Sequence, residues 1–112
     1  MAEESPYPIP NEFRHAFNAA ISAYLVWSPG EPEPQVSLNR KPFLISTVCD
    51  FAMKFRDPMP DGLWYVLLSA PGSGGEMTDR SYGSAARYLA GLIRERRKQF
   101  ARLDEQEQEG PA

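Results

Sequence analysis

The sequence predicts an all-α fold, a small domain of about four helices, and three observations carry the prediction. Apolar residues recur at the spacing of a helix face in separate segments, prolines and glycines fall between those segments, and the segment nearest the C-terminus carries a long apolar stripe. A chain of 112 residues that is 42% hydrophobic and 12% aromatic fits a single domain over 1–112, and that composition excludes wholesale disorder. The Pro-rich front and polar tail leave about 80 residues to share a core. Burial is marginal at that size, and pairing of two copies would add to it.

In chain order, Pro6, Pro8 and Pro10 hold residues 1–10 as an extended arm. Asn11 is placed to cap a first helix over 11–27, where Phe13, Phe17, Ala20, Ile21, Tyr24 and Leu25 share one face and Arg14, His15, Asn18 and Ser22 fall elsewhere. Ser28-Pro-Gly-Glu-Pro-Glu-Pro breaks that helix and opens a Pro-rich connection over 28–42. Its Glu-Pro-Glu-Pro reads as a spacer, or as an extended segment for an aromatic groove on a partner. Leu44, Val48, Phe51, Ala52 and Phe55 mark a second helix over 46–56, with Ser46 or Thr47 as caps and Asp50 three positions after Thr47. Asp57-Pro-Met-Pro-Asp61 ends it in a tight helical corner, and Asp61 can cap a third helix over 61–70.

The third helix has a competitor. Leu63 to Leu68 is apolar all round, so periodicity alone does not separate a buried helix from a buried strand, and the alternative is an α+β fold with a short strand at 63–68. That strand would need a partner from Gln35–Leu38, from Phe43–Ile45 or from another subunit. Pro71-Gly-Ser-Gly-Gly75 is a loop by composition, and Thr78 or Ser81 can cap the fourth helix. That helix, over 80–105, places Tyr82, Ala85, Leu89, Leu92, Ile93, Phe100 and Leu103 within about 60° of one line. Beyond it, 106–112 reads as a disordered acidic tail and mobile terminus.

The formal charge of −3 hides a division. Residues 1–36 hold one Arg against five Glu (−4), residues 37–100 hold ten Lys or Arg against six acids (+4), and residues 101–112 hold one Arg against four acids (−3). The acidic ends are therefore expected to fold over the basic centre and compete with a ligand there.

Three features point to binding. Arg80, Arg87, Arg94, Lys98 and Arg102 project within about 40° of one line on the back of the last helix, a row about 33 Å long with Glu95 close beside it. Such a row can follow a phosphate backbone or meet an acidic protein surface, and otherwise it is a solvated helix face. The negative total charge favours protein over nucleic acid. Arg96 falls inside the apolar stripe between Ile93 and Phe100, so it must snorkel or find an acceptor, with Asp50, Asp57 and Asp61 the expected partners. It is a structural ion pair or an anchor for an anion or a partner. Trp27 ends the first helix before the Pro-rich connection and is expected to stay partly exposed as an anchor.

Catalysis is harder to read from these residues. The Gly72-Ser-Gly-Gly75 loop lacks the Lys-Ser or Lys-Thr pair of a phosphate-binding loop. His15 is the only histidine, on the polar side of its helix, and Cys49 is the only cysteine, expected as a partly buried, inert thiol. A carboxylate site from Asp57, Asp61 and Asp79 is the remaining enzymatic option. No cofactor or metal is expected. The start carries no signal-like segment and the Leu63–Leu68 run is too short to span a bilayer, so a soluble cytoplasmic protein without membrane contact is expected. The function expected is a non-enzymatic binding or regulatory module working through protein–protein contact or as a homodimer. The alternatives are a nucleic-acid-binding regulator using the basic row, or a small enzyme or subunit with a carboxylate site near Asp57 and Asp61.

Overall fold

A computed structural model describes residues 8–70 and 79–108, with 103–108 described for their backbone only. The first helix, α1 (Asn11–Leu25), begins after Pro10, whose φ of −65° and ψ of 154° leave its carbonyl to accept the N–H groups of Phe13 at 3.0 Å and Arg14 at 3.1 Å. No side chain caps it, so the cap expected of Asn11 is corrected: proline sets the entry angle, and Asn11 is already helical. The helix ends two residues short of 27.

The Pro-rich connection then folds into a hairpin, β1 (Gln35–Leu38) and β2 (Lys41–Leu44). The all-α expectation is thus corrected: among the described residues the fold is mostly helical with one two-stranded antiparallel sheet. Asn39 and Arg40, with φ of 57° and 68°, form the turn; left-handed geometry at both central positions matches the twist of the flanking strands. Val36 pairs with Phe43 and Leu38 with Lys41, which turns Leu38 into the core and half-buries Val36 and Phe43. The turn signal was obscured because the second position holds arginine where glycine is usual. Arg40→Gly should therefore raise the urea midpoint, by about 0.5 kcal/mol of stability, as relief of left-handed strain outweighs the freedom glycine adds to the unfolded chain.

Strand β2 runs directly into α2 (Ile45–Ala52), capped in backbone terms by Leu44 with no help from its own side chains. The expected caps, Ser46 and Thr47, lie inside the helix. The Ser46 N–H is instead taken at 2.8 Å by the carboxylate of Glu33, from the Pro-rich connection. The helix stops four residues before 56. Past it the chain does not make a tight helical corner: Pro58 bridges Ser81, Met59 donates its N–H to the Arg80 carbonyl at 2.7 Å, and Tyr82 donates to Asp57 at 2.9 Å.

Residues Asp61–Leu68 form α3, so 63–68 is helix and the strands lie elsewhere. Pro60 precedes it, and Asp61 sits in its first turn and not at the cap. The last helix, α4 (Tyr82–Gln108), has Ser81 as its cap: the Ser84 N–H donates to the Ser81 hydroxyl at 3.2 Å. Asp79 supports the cap by accepting the Ser81 N–H at 3.1 Å and the Ser84 hydroxyl at 2.6 Å, and the Ser84 hydrogen bond holds its carboxyl below the usual range. Thr78 and the Gly72–Gly75 loop lie outside the described residues. The backbone of α4 is helical to Gln108, and residues 109–112 of the expected acidic tail lie outside the described residues.

The core gathers one face of each helix. Phe17, Ile21 and Tyr24 of α1 meet Ile45, Val48 and Cys49 of α2, Trp64 and Leu67 of α3, and Tyr82, Leu89 and Ile93 of α4, all buried. The apolar stripe expected on α4 is buried through Leu92 and Ile93; Phe100 is half-buried, and the side chain of Leu103 lies outside the described residues.

Candidate functional site

Packing of α4 through its apolar stripe leaves the opposite face outward. Arg87, Arg94, Lys98 and Arg102 are exposed there, over about 23 Å of helix. Arg80 does not belong with them: it precedes α4, pairs with Asp61 and lies over the Trp64 ring at 6.0 Å. Among the described residues Arg87, Arg94 and Arg102 make no ion pair, and Lys98 has only Glu95, at 3.8 Å. That contact, between two exposed side chains, is worth little.

Arg14, Arg96 and Arg97 are engaged with the rest of the fold. Arg14 reaches Asp57 at 3.3 Å, and Asp57 also accepts the Ile9 N–H at 2.7 Å, which ties down the start of the described chain. Arg96 does not find Asp50, Asp57 or Asp61. It donates to the carbonyls of Tyr24 at 2.9 Å and Trp27 at 3.5 Å, and its guanidinium stacks over the Tyr24 ring at 4.1 Å. A cation thereby meets the negative C-terminal end of α1 and satisfies carbonyls that the helix leaves open. This is a structural role. Arg96→Met should lower stability by about 1 to 2 kcal/mol in urea unfolding; an unchanged midpoint would overturn that assignment.

Sequence reasoning did not single out Glu33 and Arg97, and no local signal links residues 64 apart. The Glu33 side chain is only 7% exposed; its carboxylate receives Arg97 through Nε at 2.7 Å and through Nη2 as well as the Ser46 N–H. Arg97 also donates to the Ser46 hydroxyl at 3.1 Å. The Pro-rich connection is thereby clamped between α2 and α4.

The Trp27 expectation is corrected. The residue is 6% exposed, its Nε1–H donates to the Glu31 carbonyl at 3.0 Å, and its ring meets Phe100 edge-on with centroids 5.2 Å apart. Folding the connection back over α1 covers the indole. The same contacts pin Glu-Pro-Glu-Pro in place, so it is not a free extended ligand for another groove. Beside Trp27 they leave a groove of about 640 Å³, with Val26 at 75% exposure on its wall.

The three aspartates take separate partners: Asp57 holds Ile9 and Arg14, Asp61 pairs with Arg80, and Asp79 accepts from Ser81 and Ser84 at the start of α4. No cluster of three or more metal-ligating side chains occurs among the described residues. Cys49 is fully buried and burial pushes its thiol well above the usual range, the condition of an inert thiol. His15 is exposed at the rim of a second hollow of about 470 Å³ between α1 and α3. No described helix is long and apolar enough to cross a membrane. Comparison of the chain with family profiles, curated proteins and solved structures finds no match.

Proposed function

We propose that the protein is a non-enzymatic binding module, working in the cytoplasm through protein–protein contact, with the outer face of α4 as its contact surface. The observation that carries this reading is alignment: Arg87, Arg94, Lys98 and Arg102 lie exposed along one face of α4, and Arg87, Arg94 and Arg102 make no ion pair among the described residues. An exposed row of cations attracts acidic surfaces and speeds their encounter. The overall charge of −3 opposes any acidic partner at long range, and opposes nucleic acid most because its charge is densest, which favours an acidic protein of lower charge density. Nucleic acid is the second reading, since cations along one helix face can also follow phosphates.

Fluorescence anisotropy with a Glu-rich peptide and with mixed short DNA and RNA, at low and high salt, tests the reading. The peptide should bind at low salt, and changing Arg87, Arg94 and Lys98 together to Glu should weaken it by more than about tenfold while leaving the melting temperature unchanged. Binding of the oligonucleotides alone would move the assignment to nucleic acid. No binding of any acidic polymer at low salt would discard the surface.

A further inference from the structure

We infer that the hollow between α1 and α3 is a binding site for a small monocarboxylic acid, held by its carboxylate at Arg14 and Tyr82 and by its hydrocarbon body against α3. The site is separate from the α4 surface proposed above and does not depend on it. At about 470 Å³ the hollow is of a size common for small-molecule sites.

Its two walls differ in chemistry. On the α1 side lie Arg14, His15 and Asn18, spaced so that the three polar side chains share one patch of the helix. On the other side lie Pro60, Leu63 and Val66, none of them polar. Val66 keeps 41% exposure and Leu63 is half-buried, which leaves hydrocarbon for a ligand to cover. No carboxylate lines the hollow.

Tyr82 distinguishes this hollow from a dent in the surface. The residue is buried, at 2% exposure, and lines the hollow. Its hydroxyl makes no hydrogen bond among the described residues, yet the only sealed side-chain polar atom without a partner among them is the Tyr88 hydroxyl. The Tyr82 hydroxyl therefore reaches accessible space, and the hollow is the space that Tyr82 lines. A donor on an otherwise buried ring with no protein partner calls for an acceptor from outside. Burial raises its pKa, so it stays a neutral donor near pH 7.

Arg14 supplies the charge beside it. Its Nε donates to the Ile9 carbonyl at 3.4 Å and its Nη2 to Asp57 at 3.3 Å, while Nη1 has no partner among the described residues. The guanidinium lies 5.7 Å from the centre of the Tyr82 ring, so cation and hydroxyl belong to one place. Because Ile9 and Asp57 already hold the arginine, a ligand is spared part of the entropy of ordering it. Asp57 behind Arg14 also disfavours a dianion such as phosphate. A monovalent carboxylate has one oxygen for Nη1 and one for the hydroxyl, and its chain faces the apolar wall.

The test titrates the full chain with 3-phenylpropionate, with neutral 3-phenylpropionamide and with acetate, followed by NMR. The first should bind with a Kd of about 1 mM, and the other two about tenfold more weakly, since each lacks one half of the recognition. Tyr82→Phe should weaken 3-phenylpropionate about tenfold and leave the melting temperature unchanged, because the lost hydroxyl serves no bond within the fold. Gly62 lines the hollow and nothing lies within 4 Å of its would-be Cβ, so Gly62→Met should fill the site and abolish binding in a folded protein. That variant keeps the question decidable should Tyr82→Phe lower the melting temperature. Equal affinity for acid and amide, or binding that neither variant weakens, would overturn the inference. So would the absence of 3-phenylpropionate binding at about 10 mM.

Discussion

Replacing Gly83 with Ala should destabilise the protein by about 3 kcal/mol, seen as a lower urea midpoint at unchanged slope. A Cβ at this position would lie 2.6 Å from the carbonyl oxygens of both Met53 and Phe55, distances that real Cβ atoms do not adopt. Neither neighbour can yield easily, because both are backbone and the Phe55 carbonyl already accepts the Gly83 N–H at 2.7 Å. The first turn of α4 would have to lift off the end of α2 and disturb the Tyr82–Asp57 hydrogen bond beside it. Gly91 supplies the control. It lies in the same helix, nothing lies within 4 Å of its would-be Cβ, and Gly91→Ala should stabilise by about 0.5 to 1 kcal/mol through helix propensity alone. Equal effects at the two positions would refute the close approach.

Trp27→Ala should cost about 3 to 4 kcal/mol, because it empties a buried site between Tyr24, Phe100 and the Pro-rich connection. The loss would also free the Glu31 carbonyl and loosen the groove. Trp27→Phe keeps most of the packing, removes the Nε1–H donor, and should cost about 1 kcal/mol. These outcomes separate a core residue from the interface anchor that its place in the sequence suggests. An anchor would lose binding on truncation and keep its melting temperature, so an unchanged melting temperature in Trp27→Ala would contradict the buried indole.

The clearest elements were legible for a physical reason. Helix α4 shows its stripe because i, i+3 and i+4 positions share one face over many turns, and Tyr82, Leu89 and Ile93 repeat on that face and are buried. Ser81 was legible as a cap because capping is local, with donor and acceptor three residues apart. The exposure of Arg87, Arg94 and Lys98 follows from the same periodicity, since the back of a helix whose front is buried faces out.

The hairpin was hidden by its composition. Prolines at 32, 34 and 42 read as a linker, although a two-stranded sheet consists of edges and an edge tolerates a proline. The segments Gln35–Leu38 and Phe43–Ile45 were recognisable as extended, but not as partners of each other, because an Asn-Arg turn in left-handed geometry carries a weak signal. Helix and strand at 63–68 were inseparable because a short segment apolar all round has no periodicity; pairing of Gln35–Leu38 with Lys41–Leu44 removed those segments as strand partners.

By itself the sequence determined the helical plan, the core face of α4, the outward row of cations and the division of charge along the chain, all of them consequences of spacing and composition. Tertiary structure alone decided the pairings across long sequence separations. It gave Arg96 to the end of α1 and to the Tyr24 ring, not to an aspartate. It gave Glu33 to Ser46 and Arg97, buried Trp27 under the connection that follows it, and scattered Asp57, Asp61 and Asp79 among separate tasks. The reason is that a buried polar group takes whichever partner the packing of the backbones brings within about 3 Å, and one-dimensional spacing carries no record of that distance.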